Sequence, residues 1–306
     1  MSIYGLFRGR GPSGFGYNST AEEVTAGLDL TGKTYLVTGA NSGLGLETVR
    51  VLVFRGAKVI AAARTAQRAT AATQGMGESV VPLACDLAEP DSVRAAVKAV
   101  HDDGHVINGI IANAGIMALP ERSVAYGIEL QLFTNHFGHF LLVCGLLDQL
   151  ADDGRVVLLS SAAHLRTYRE GIRFDDLGAE KHYSPWGAYG QSKLANLLFA
   201  RELATRLPKP GQTANAVHPG VIATNLSRHM GRLTRGIFAA VGPVFALKPI
   251  AAGAATQTYV SAHPDAGSVN GEYWADCNVH ESSAHGRDTA MARKLWQVTE
   301  DILANL

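Results

Sequence analysis

The chain has 306 residues, of which 47% are hydrophobic and 18% are charged, a composition typical of a globular protein with a large core. Its formal net charge is zero, so its charge balance gives no sign of a nucleic-acid or anionic-membrane partner. Three cysteines without Cys-x-x-Cys spacing argue against a disulfide framework and a zinc site, and eleven histidines without a His-Glu-x-x-His pattern give no reason to expect a metal. We therefore expect a reducing compartment, the cytoplasm.

The N-terminal residues 1–29 are rich in glycine and arginine and are predicted to form an irregular arm that lies over the domain or is partly loose. The first twenty residues contain no continuous apolar stretch, which argues against a signal peptide or a membrane anchor. We expect no integral membrane contact.

Short apolar runs alternate with helical segments from residue 34 onward. The predicted strands are 34–39, 57–64, 80–87, 106–115, 154–163, 213–220 and 271–277, and the predicted helices are 45–56, 90–101, 122–150 and a segment ending near residue 207. Continuously apolar strands that alternate with helices indicate a parallel sheet covered on both faces. The sequence therefore predicts an α/β protein, with one Rossmann-type, doubly wound domain of about seven strands over residues 30–306.

Residues 226–250 break this alternation and are predicted to be an insertion that contacts the substrate. Their apolar stretch 236–247 is too short to cross a bilayer. We favour a lid over an apolar substrate, and the alternatives are a dimer surface and a shallow membrane contact.

The first strand leads into the glycine-rich segment TGANSGLG, residues 38–45, which opens a helix. Glycines permit a tight turn and a close backbone approach, and a helix N-terminus favours phosphate. The alternative is a purely structural turn. We predict a dinucleotide-binding loop with the cofactor contacts Gly39, Asn41, Ser42, Gly43, Leu44 and Gly45.

The next two strands end in candidate contacts for the adenosine half of the cofactor. The second strand ends in Ala63 and Arg64, where an NAD site usually has an acidic residue. Arg64 could pair with a 2′-phosphate, so we predict NADP(H) over NAD(H); the alternative is an exposed arginine at a strand end. After the third strand, Asp86 and Leu87 are predicted to contact the adenine, although Asp86 could simply cap the following loop.

Tyr189 and Lys193 lie four positions apart on a predicted helix, on the same face. A cation there should stabilise the phenolate and make the tyrosine easier to deprotonate. The spacing alone is common, and most examples are exposed helix surface.

The order of the motifs is more informative than any one of them: TGANSGLG, then NAG (113–115), SS (160–161), Tyr-x-x-x-Lys and HPGVIAT (218–224). In this order, over roughly residues 30–280, the chain resembles the short-chain dehydrogenase/reductase family. The resemblance implies cofactor contacts at Asn113, Ala114 and Gly115, at Tyr189 and Lys193, and, lining the nicotinamide end, at Pro219, Gly220, Val221 and Thr224.

The resemblance also implies a catalytic set. Tyr189 would exchange a proton with the substrate oxygen, and Lys193 would favour its phenolate and bind the nicotinamide ribose. Ser161, chosen over Ser160 from the family pattern, would hold the substrate oxygen. Asn135 would support a water-linked proton relay through Lys193.

The gap between Ser161 and Tyr189 is longer than is usual in the family. The extra segment resembles the branch of the retinol dehydrogenases and WW-domain oxidoreductases, which commonly prefer NADP(H) and apolar alcohols or carbonyls.

Two histidines close to Asn135 in the sequence, His136 and His139, are interpreted as buried packing residues rather than catalytic bases. Cys277 is interpreted as a small buried residue rather than a nucleophile.

The predicted function is an NADP(H)-dependent alcohol dehydrogenase or carbonyl reductase acting on an apolar alcohol, with a secondary alcohol favoured, or on its ketone or aldehyde. One alternative is the reduction of a carbon–carbon double bond, because the light-dependent protochlorophyllide reductases resemble this pattern too. Another is a non-catalytic NADP(H)-binding redox sensor. Relatives are often oligomers, so a homo-oligomer is an open expectation.

Overall fold

A sheet of eight strands dominates the computed structural model, which describes residues 9–222 and 248–306. Within these residues the sheet has the order β10-β9-β8-β7-β4-β1-β2-β3. Its strands are β1 Thr34–Thr38, β2 Lys58–Ala63, β3 Val80–Ala84, β4 Ile107–Ala112, β7 Leu150–Leu159, β8 Thr213–His218, β9 Tyr273–Ala275 and β10 Asn278–His280. A separate hairpin joins β5 Val124–Ala125 to β6 Ile128–Glu129.

All pairings in the large sheet are parallel except β9 with β10. The strand order reverses beside β1, where β2 and β4 lie on opposite sides. A crevice at the carboxyl ends of the strands is the usual ligand site at such a point. The predicted Rossmann-type, doubly wound sheet is confirmed.

The α-helices of the described residues connect the strands. They are α1 Gly43–Phe54, α2 Ala66–Ala72, α3 Pro90–Asp102, α4 Leu130–Leu132, α5 Gly138–Cys144, α6 Pro185–Arg206, α7 Ile250–Gly253, α8 Ala255–Ala262 and α9 Thr289–Ala304. A π-helical turn, Phe133–Phe137, joins α4 to α5 without a break. Short 3₁₀ turns, among them Glu23–Thr25 and Ala162–Arg166, occur in the connections.

Both faces of the sheet are buried because side chains alternate along each strand. In β1, Leu36 packs with apolar residues of α3, α5, α6 and α9, while Tyr35 and Val37 pack with residues of α1 and α8. All five residues of β1 are buried. A strand buried on both faces accounts for the continuous apolar run TYLVT.

Two sequence predictions about elements are wrong in detail. The predicted helix over 122–150 begins only at Leu130, because Tyr126 and Gly127 adopt positive φ angles of 51° and 78° and turn the chain into the β5–β6 hairpin. Its last residues form a 3₁₀ turn, Leu147–Gln149, and Leu150 already belongs to β7. The sheet also gains an antiparallel edge strand, β10, that was not predicted.

The described part of the N-terminal arm is packed against the domain. Asn278 donates a hydrogen bond to the Phe15 carbonyl at 3.1 Å, and Ala21 donates to the Ala251 carbonyl at 2.9 Å. Arg50 pairs with Glu22 at 2.5 Å. These contacts attach the arm to β10, α7 and α1, as one form of the prediction expected.

Most of the predicted insertion, 226–250, lies outside the described residues. Across the described ranges, no helix has both the length and the apolar character needed to cross a membrane.

Candidate active site

A cleft of about 330 Å³ opens at the carboxyl ends of the central parallel strands. Most of the predicted site residues line it: Gly39, Asn41, Ser42, Gly43, Leu44, Arg64, Asp86, Leu87, Asn113, Ala114, Gly115, Tyr189, Lys193 and Pro219. Gly45, Asn135, Ser161, Gly220 and Val221 are described but are not part of its walls. Thr224 lies outside the described residues.

The glycine-rich loop needs its glycines for two different reasons. Gly39 and Gly43 have φ angles of +67° and +56°, a region that side chains rarely adopt. A Cβ atom at Gly45 would lie 2.3 Å from the Gly39 carbonyl oxygen and 2.5 Å from Asn113 Nδ2. The loop therefore folds against the end of β4, and α1 begins at Gly43 with its free N–H groups at the cleft, which suits a phosphate.

The asparagine of the NAG motif holds the ends of β1 and β4 together. Its Nδ2 donates to the Thr38 carbonyl at 2.8 Å, and its Oδ1 accepts from Gln257 Nε2 at 3.2 Å. The following Ala114 N–H donates to Thr38 Oγ1 at 2.9 Å. Asn113 thus shapes the cleft wall, which leaves Ala114 and Gly115 to face a ligand.

The far end of the cleft carries the residues predicted to contact adenosine. Arg64 follows β2, is exposed and lines the cleft. Asp86 also lines it, and its Oδ1 accepts a hydrogen bond from the Ala88 N–H at 3.1 Å. Asp86 therefore does cap its own loop, and this leaves a second carboxylate oxygen that could contact a ligand.

The tyrosine and lysine lie on α6, which begins at Pro185 after the N-cap Ser184. Both side chains are buried, with 5% of Tyr189 and 4% of Lys193 exposed. Lys193 Nζ lies 5.7 Å from the centroid of the Tyr189 ring and donates to the Leu159 carbonyl at 2.9 Å. The structure thus places the predicted pair together at the cleft.

Burial sets the ionisation of this pair. It raises the pKa of Tyr189 to about 12, and only a hydrogen bond with the Ser161 side chain opposes it. Burial also lowers the pKa of Lys193 to about 8. The expected ease of deprotonation is therefore not what this structure shows: the phenol remains protonated near neutral pH, the form that can donate a proton.

The two serines after β7 have different roles. Ser160 lines the cleft, but its hydroxyl is buried and donates to the Lys193 carbonyl at 2.8 Å. The Ser161 side chain is the group that acts on the Tyr189 phenol, whose pKa it lowers against the effect of burial. This geometry supports the choice of Ser161 as the serine beside the reacting oxygen.

The predicted relay residue Asn135 lies in the π-helical turn, fully buried. Its amide accepts from the Ile116 N–H at 2.8 Å and donates to the Ile116 carbonyl at 3.0 Å and to Ser192 Oγ at 2.9 Å. A Cβ atom at Gly115 would lie 3.0 Å from Asn135 Oδ1 and 3.5 Å from Lys193 Nζ. Gly115 thus lets the asparagine and the lysine approach the same stretch of backbone.

The two histidines interpreted from the sequence as buried packing residues lie behind this site, and only their hydrogen-bond partners could not be predicted. His139 Nδ1 bonds the Asn135 carbonyl at 2.8 Å, and its Nε2 bonds Thr38 Oγ1 at 2.8 Å. Burial lowers the pKa of His139 to about 4, so it is neutral and connects the π turn to β1. His136 is also buried and bonds Thr299 Oγ1 at 3.0 Å. Both histidines are packing residues, and the alternation of His with Phe in NHFGHF was the available signal.

The segment after β8, which was predicted to line the nicotinamide end, is held by a buried lysine. Pro219 lines the cleft, and Gly220 has a φ angle of +97°. The Lys248 N–H donates to the Val221 carbonyl at 2.9 Å, while its ammonium pairs with Asp276 at 2.5 Å. This fixes the backbone from Pro219 to Val221 although only Pro219 reaches the cleft wall.

The site suits a dinucleotide, because the N–H groups at the start of α1 reach one part of the cleft and Tyr189 and Lys193 line another. Of the described residues, no group of three His, Cys, Asp or Glu side chains is arranged to hold a metal ion. Cys277 is buried, and burial raises the pKa of its thiol to about 12.

Comparison with known proteins agrees with this geometry. A match to the short chain dehydrogenase family covers residues 33–174. Over its whole length the chain is 43% identical to the short-chain dehydrogenase TIC 32 A, chloroplastic, of Brassica napus, and all of that protein is covered. It is 38% identical to retinol dehydrogenase 14 of Homo sapiens, over 88% of this chain and 85% of that protein.

Solved structures show the same fold. A crystal structure of an uncharacterized protein from Mycobacterium Paratuberculosis is 34% identical, with a TM-score of 0.74, over 92% of this chain and 97% of that chain. A short chain dehydrogenase from Burkholderia cenocepacia J2315, in complex with NADP, is 25% identical with a TM-score of 0.64, over 80% of this chain and 96% of that chain.

Proposed function

The chain belongs to the short-chain dehydrogenase/reductase family of oxidoreductases, and we propose that it is an NADP(H)-dependent enzyme that interconverts an apolar alcohol and its ketone or aldehyde. One observation carries the proposal. The Tyr189 phenol, on whose pKa the Ser161 side chain acts, lies beside Lys193 in a cleft whose other end is the glycine-rich loop. A bound dinucleotide would therefore bring its reactive ring towards a proton donor.

The residues have complementary tasks in carbonyl reduction. The bound nicotinamide supplies the hydride to the carbonyl carbon. Ser161 hydrogen-bonds the carbonyl oxygen, and Tyr189, protonated because it is buried, gives that oxygen its proton. Lys193 lies beside the ring of Tyr189 and compensates the negative charge that develops on the phenolate. In the oxidative direction the same proton returns to Tyr189.

Two observations support NADP(H) over NAD(H). Arg64 lines the far end of the cleft, where Ala63 stands in place of an acidic residue. The similar Burkholderia cenocepacia protein was solved in complex with NADP. A guanidinium can bind a phosphate through two parallel hydrogen bonds, whereas a 2′-hydroxyl offers it no charge.

An apolar substrate is supported by exposed apolar side chains close in the chain to Ser161 and Pro219, and by relatives. Leu165, four residues after the serine, is 67% exposed, and Val221, two residues after Pro219, is 43% exposed. Several similar proteins are named retinol dehydrogenases.

We include in the proposal a reducing, cytoplasmic setting, which the three free thiols support.

Turnover of a carbonyl panel tests this function. Purified protein with NADPH should reduce apolar ketones or aldehydes, and Tyr189→Phe should lower kcat by about 10²-fold or more while it still binds NADPH. The matched control is Tyr126→Phe, which removes the hydroxyl of an exposed tyrosine bonded to Glu89 and should leave kcat unchanged. Equal turnover by the Tyr189 and Tyr126 variants would reject the assigned role.

A further inference from the structure

A third buried histidine, His164, lies three residues after Ser161 in the 3₁₀ turn Ala162–Arg166. Only 2% of it is exposed, although both its neighbours on the C-terminal side, Leu165 and Arg166, are exposed. The mechanism above does not use it. A buried imidazole must place both of its ring nitrogens, so its partners are informative.

Both nitrogens of His164 bond backbone groups. Nδ1 lies 2.6 Å from the Ser161 carbonyl oxygen, and the Ser283 N–H donates to Nε2 at 3.2 Å. A backbone N–H can only donate, so Nε2 accepts and carries no proton. Nδ1 must then be the protonated nitrogen and donates to the Ser161 carbonyl. These partners assign a single neutral tautomer.

The surroundings of the ring favour the same state. Burial lowers the pKa of His164, because a charged imidazolium would lose its hydration there. A second proton on Nε2 would also face the Ser283 N–H, donor against donor. The edge of the ring packs on Tyr273 of β9, with the centroids 5.0 Å apart and the planes at 66°.

His164 therefore holds the backbone of Ser161 from behind. The Ser161 carbonyl also accepts from the His164 N–H at 3.1 Å, while Ser161 Oγ accepts from the Ala163 N–H at 3.1 Å. On the other side, Ser283 belongs to the segment between β10 and α9. One side chain thus connects the serine turn to a distant part of the chain.

We propose that His164 is a positioning residue for Ser161: its Nδ1–H, fixed by the Ser283 backbone, orients the serine so that its hydroxyl faces Tyr189. This rests on the proposed function, in which Ser161 binds the reacting oxygen. His164 does not line the cleft, so its effect on the reaction must pass through Ser161.

A double-mutant cycle tests this route. His164→Ala should lower kcat for carbonyl reduction by about tenfold, the effect of one lost orienting hydrogen bond, with no change in the Kd for NADPH. In a Ser161→Ala background the same change should cost nothing further, because the residue that it positions is already gone. The exposed His182→Ala is the matched control and should retain full kcat.

Conservative variants separate the two nitrogens and serve if the alanine variant does not fold. His164→Asn keeps a donor near the position of Nδ1 and should retain most of the turnover. His164→Gln keeps an acceptor near Nε2 but loses the donor to Ser161, so its kcat should fall by about tenfold.

The outcomes are distinct. Full activity in His164→Ala, or an equal loss in both backgrounds, would overturn the positioning role while leaving the proposed function intact. Full activity in Ser161→Ala would overturn the role of the serine, and the inference about His164 with it.

Discussion

Lys193 shows a conflict between stability and function at the scale of a single residue. Only 4% of Lys193 is exposed, and burial lowers its pKa to about 8. Its ammonium donates to the Leu159 carbonyl, which also accepts from Asn196 Nδ2 at 3.0 Å. A folded protein would not need this charge for packing, which suggests that the charge is kept for the chemistry.

Lys193→Met should therefore stabilise the protein while it abolishes turnover. Folding lowers the pKa of the lysine from an ordinary value near 10.5 to about 8. The free-energy cost of keeping the buried lysine protonated is therefore largest below pH 8. We expect an increase in the free energy of unfolding of up to about 3 kcal/mol at pH 7. The Leu159 carbonyl remains bonded to Asn196.

Urea unfolding of the wild-type protein and of Lys193→Met between pH 7 and pH 10 measures this difference in the free energy of unfolding. The advantage of the variant should shrink as the pH rises through 8 towards 10.5, because the wild-type lysine then folds as the neutral form. A variant that is less stable than wild type at pH 7 would contradict the account.

Sequence patterns located the proposed catalytic side chains better than the residues that support them. Tyr189 and Lys193 could be found because the chemistry requires a phenol and a cation on one helix face. The hydrogen-bond partners of His139 and His164 could not be predicted, because each histidine joins atoms that are far apart in the chain. His139 joins β1 to the π turn, and His164 joins the Ser161 turn to Ser283.

At the scale of elements, helix α6, which carries Tyr189 and Lys193, is buried at every residue from Gly187 to Ala200. The C-terminal helix α9 covers its outer side. Trp296 lies 5.7 Å from the ring of Phe199 on α6, and the Arg206 guanidinium lies 4.5 Å from the Trp296 ring. Helix α9 thus keeps α6 and its two catalytic candidates in place.

Truncation of a buried side chain on α9 should weaken this support. Leu295 is 1% exposed and belongs to the core shared with α6. Leu295→Ala should lower the free energy of unfolding by about 2–5 kcal/mol, because it leaves a cavity. Arg293→Ala, on the exposed face two residues earlier, should change it by less than about 0.5 kcal/mol. Equal urea midpoints for the two variants would show that α9 does not support the core.

The elements that were mispredicted lack the usual local signals. Asp276 and Cys277 both have positive φ angles, 52° and 61°, and make the tight turn into β10 without the glycine that normally marks it. The π turn around Asn135 cannot be read from a 3.6-residue pattern, because it is stabilised by hydrogen bonds to Ile116 and Ser192 elsewhere in the chain.

At the scale of the whole molecule, the parallel sheet was predictable because its strands are buried on both faces and read as apolar runs between helices. Strand order follows from right-handed crossovers, and the cleft lies where that order reverses. The described arm was less predictable, since it is attached by backbone groups such as the Phe15 and Ala21 peptides rather than by a sequence pattern.

Cofactor binding should stabilise the whole protein, because the glycine-rich loop, Arg64 and Lys193 belong to one folded cleft. A saturating nucleotide at about 100 times its Kd adds about 2.7 kcal/mol to the free energy of unfolding and raises Tm. We expect a larger Tm increase with NADPH than with NADH at equal concentration. Arg64→Ala should reduce the NADPH increase and leave the NADH increase unchanged.

Thermal unfolding with each nucleotide gives this comparison, and Lys98→Ala, which alters an exposed pair with Asp102, is the control. Equal increases for NADPH and NADH in the wild-type protein would argue against the proposed cofactor preference.

The most direct measurement follows the hydride itself. Wild-type enzyme would be incubated with an enone and NADPH that carries deuterium in place of both hydrogens at the reactive nicotinamide carbon, and the product analysed by mass spectrometry and NMR. The account predicts an allylic alcohol with one deuterium on the carbinol carbon. A saturated ketone with deuterium on the former alkene carbon would contradict it and identify a double-bond reductase.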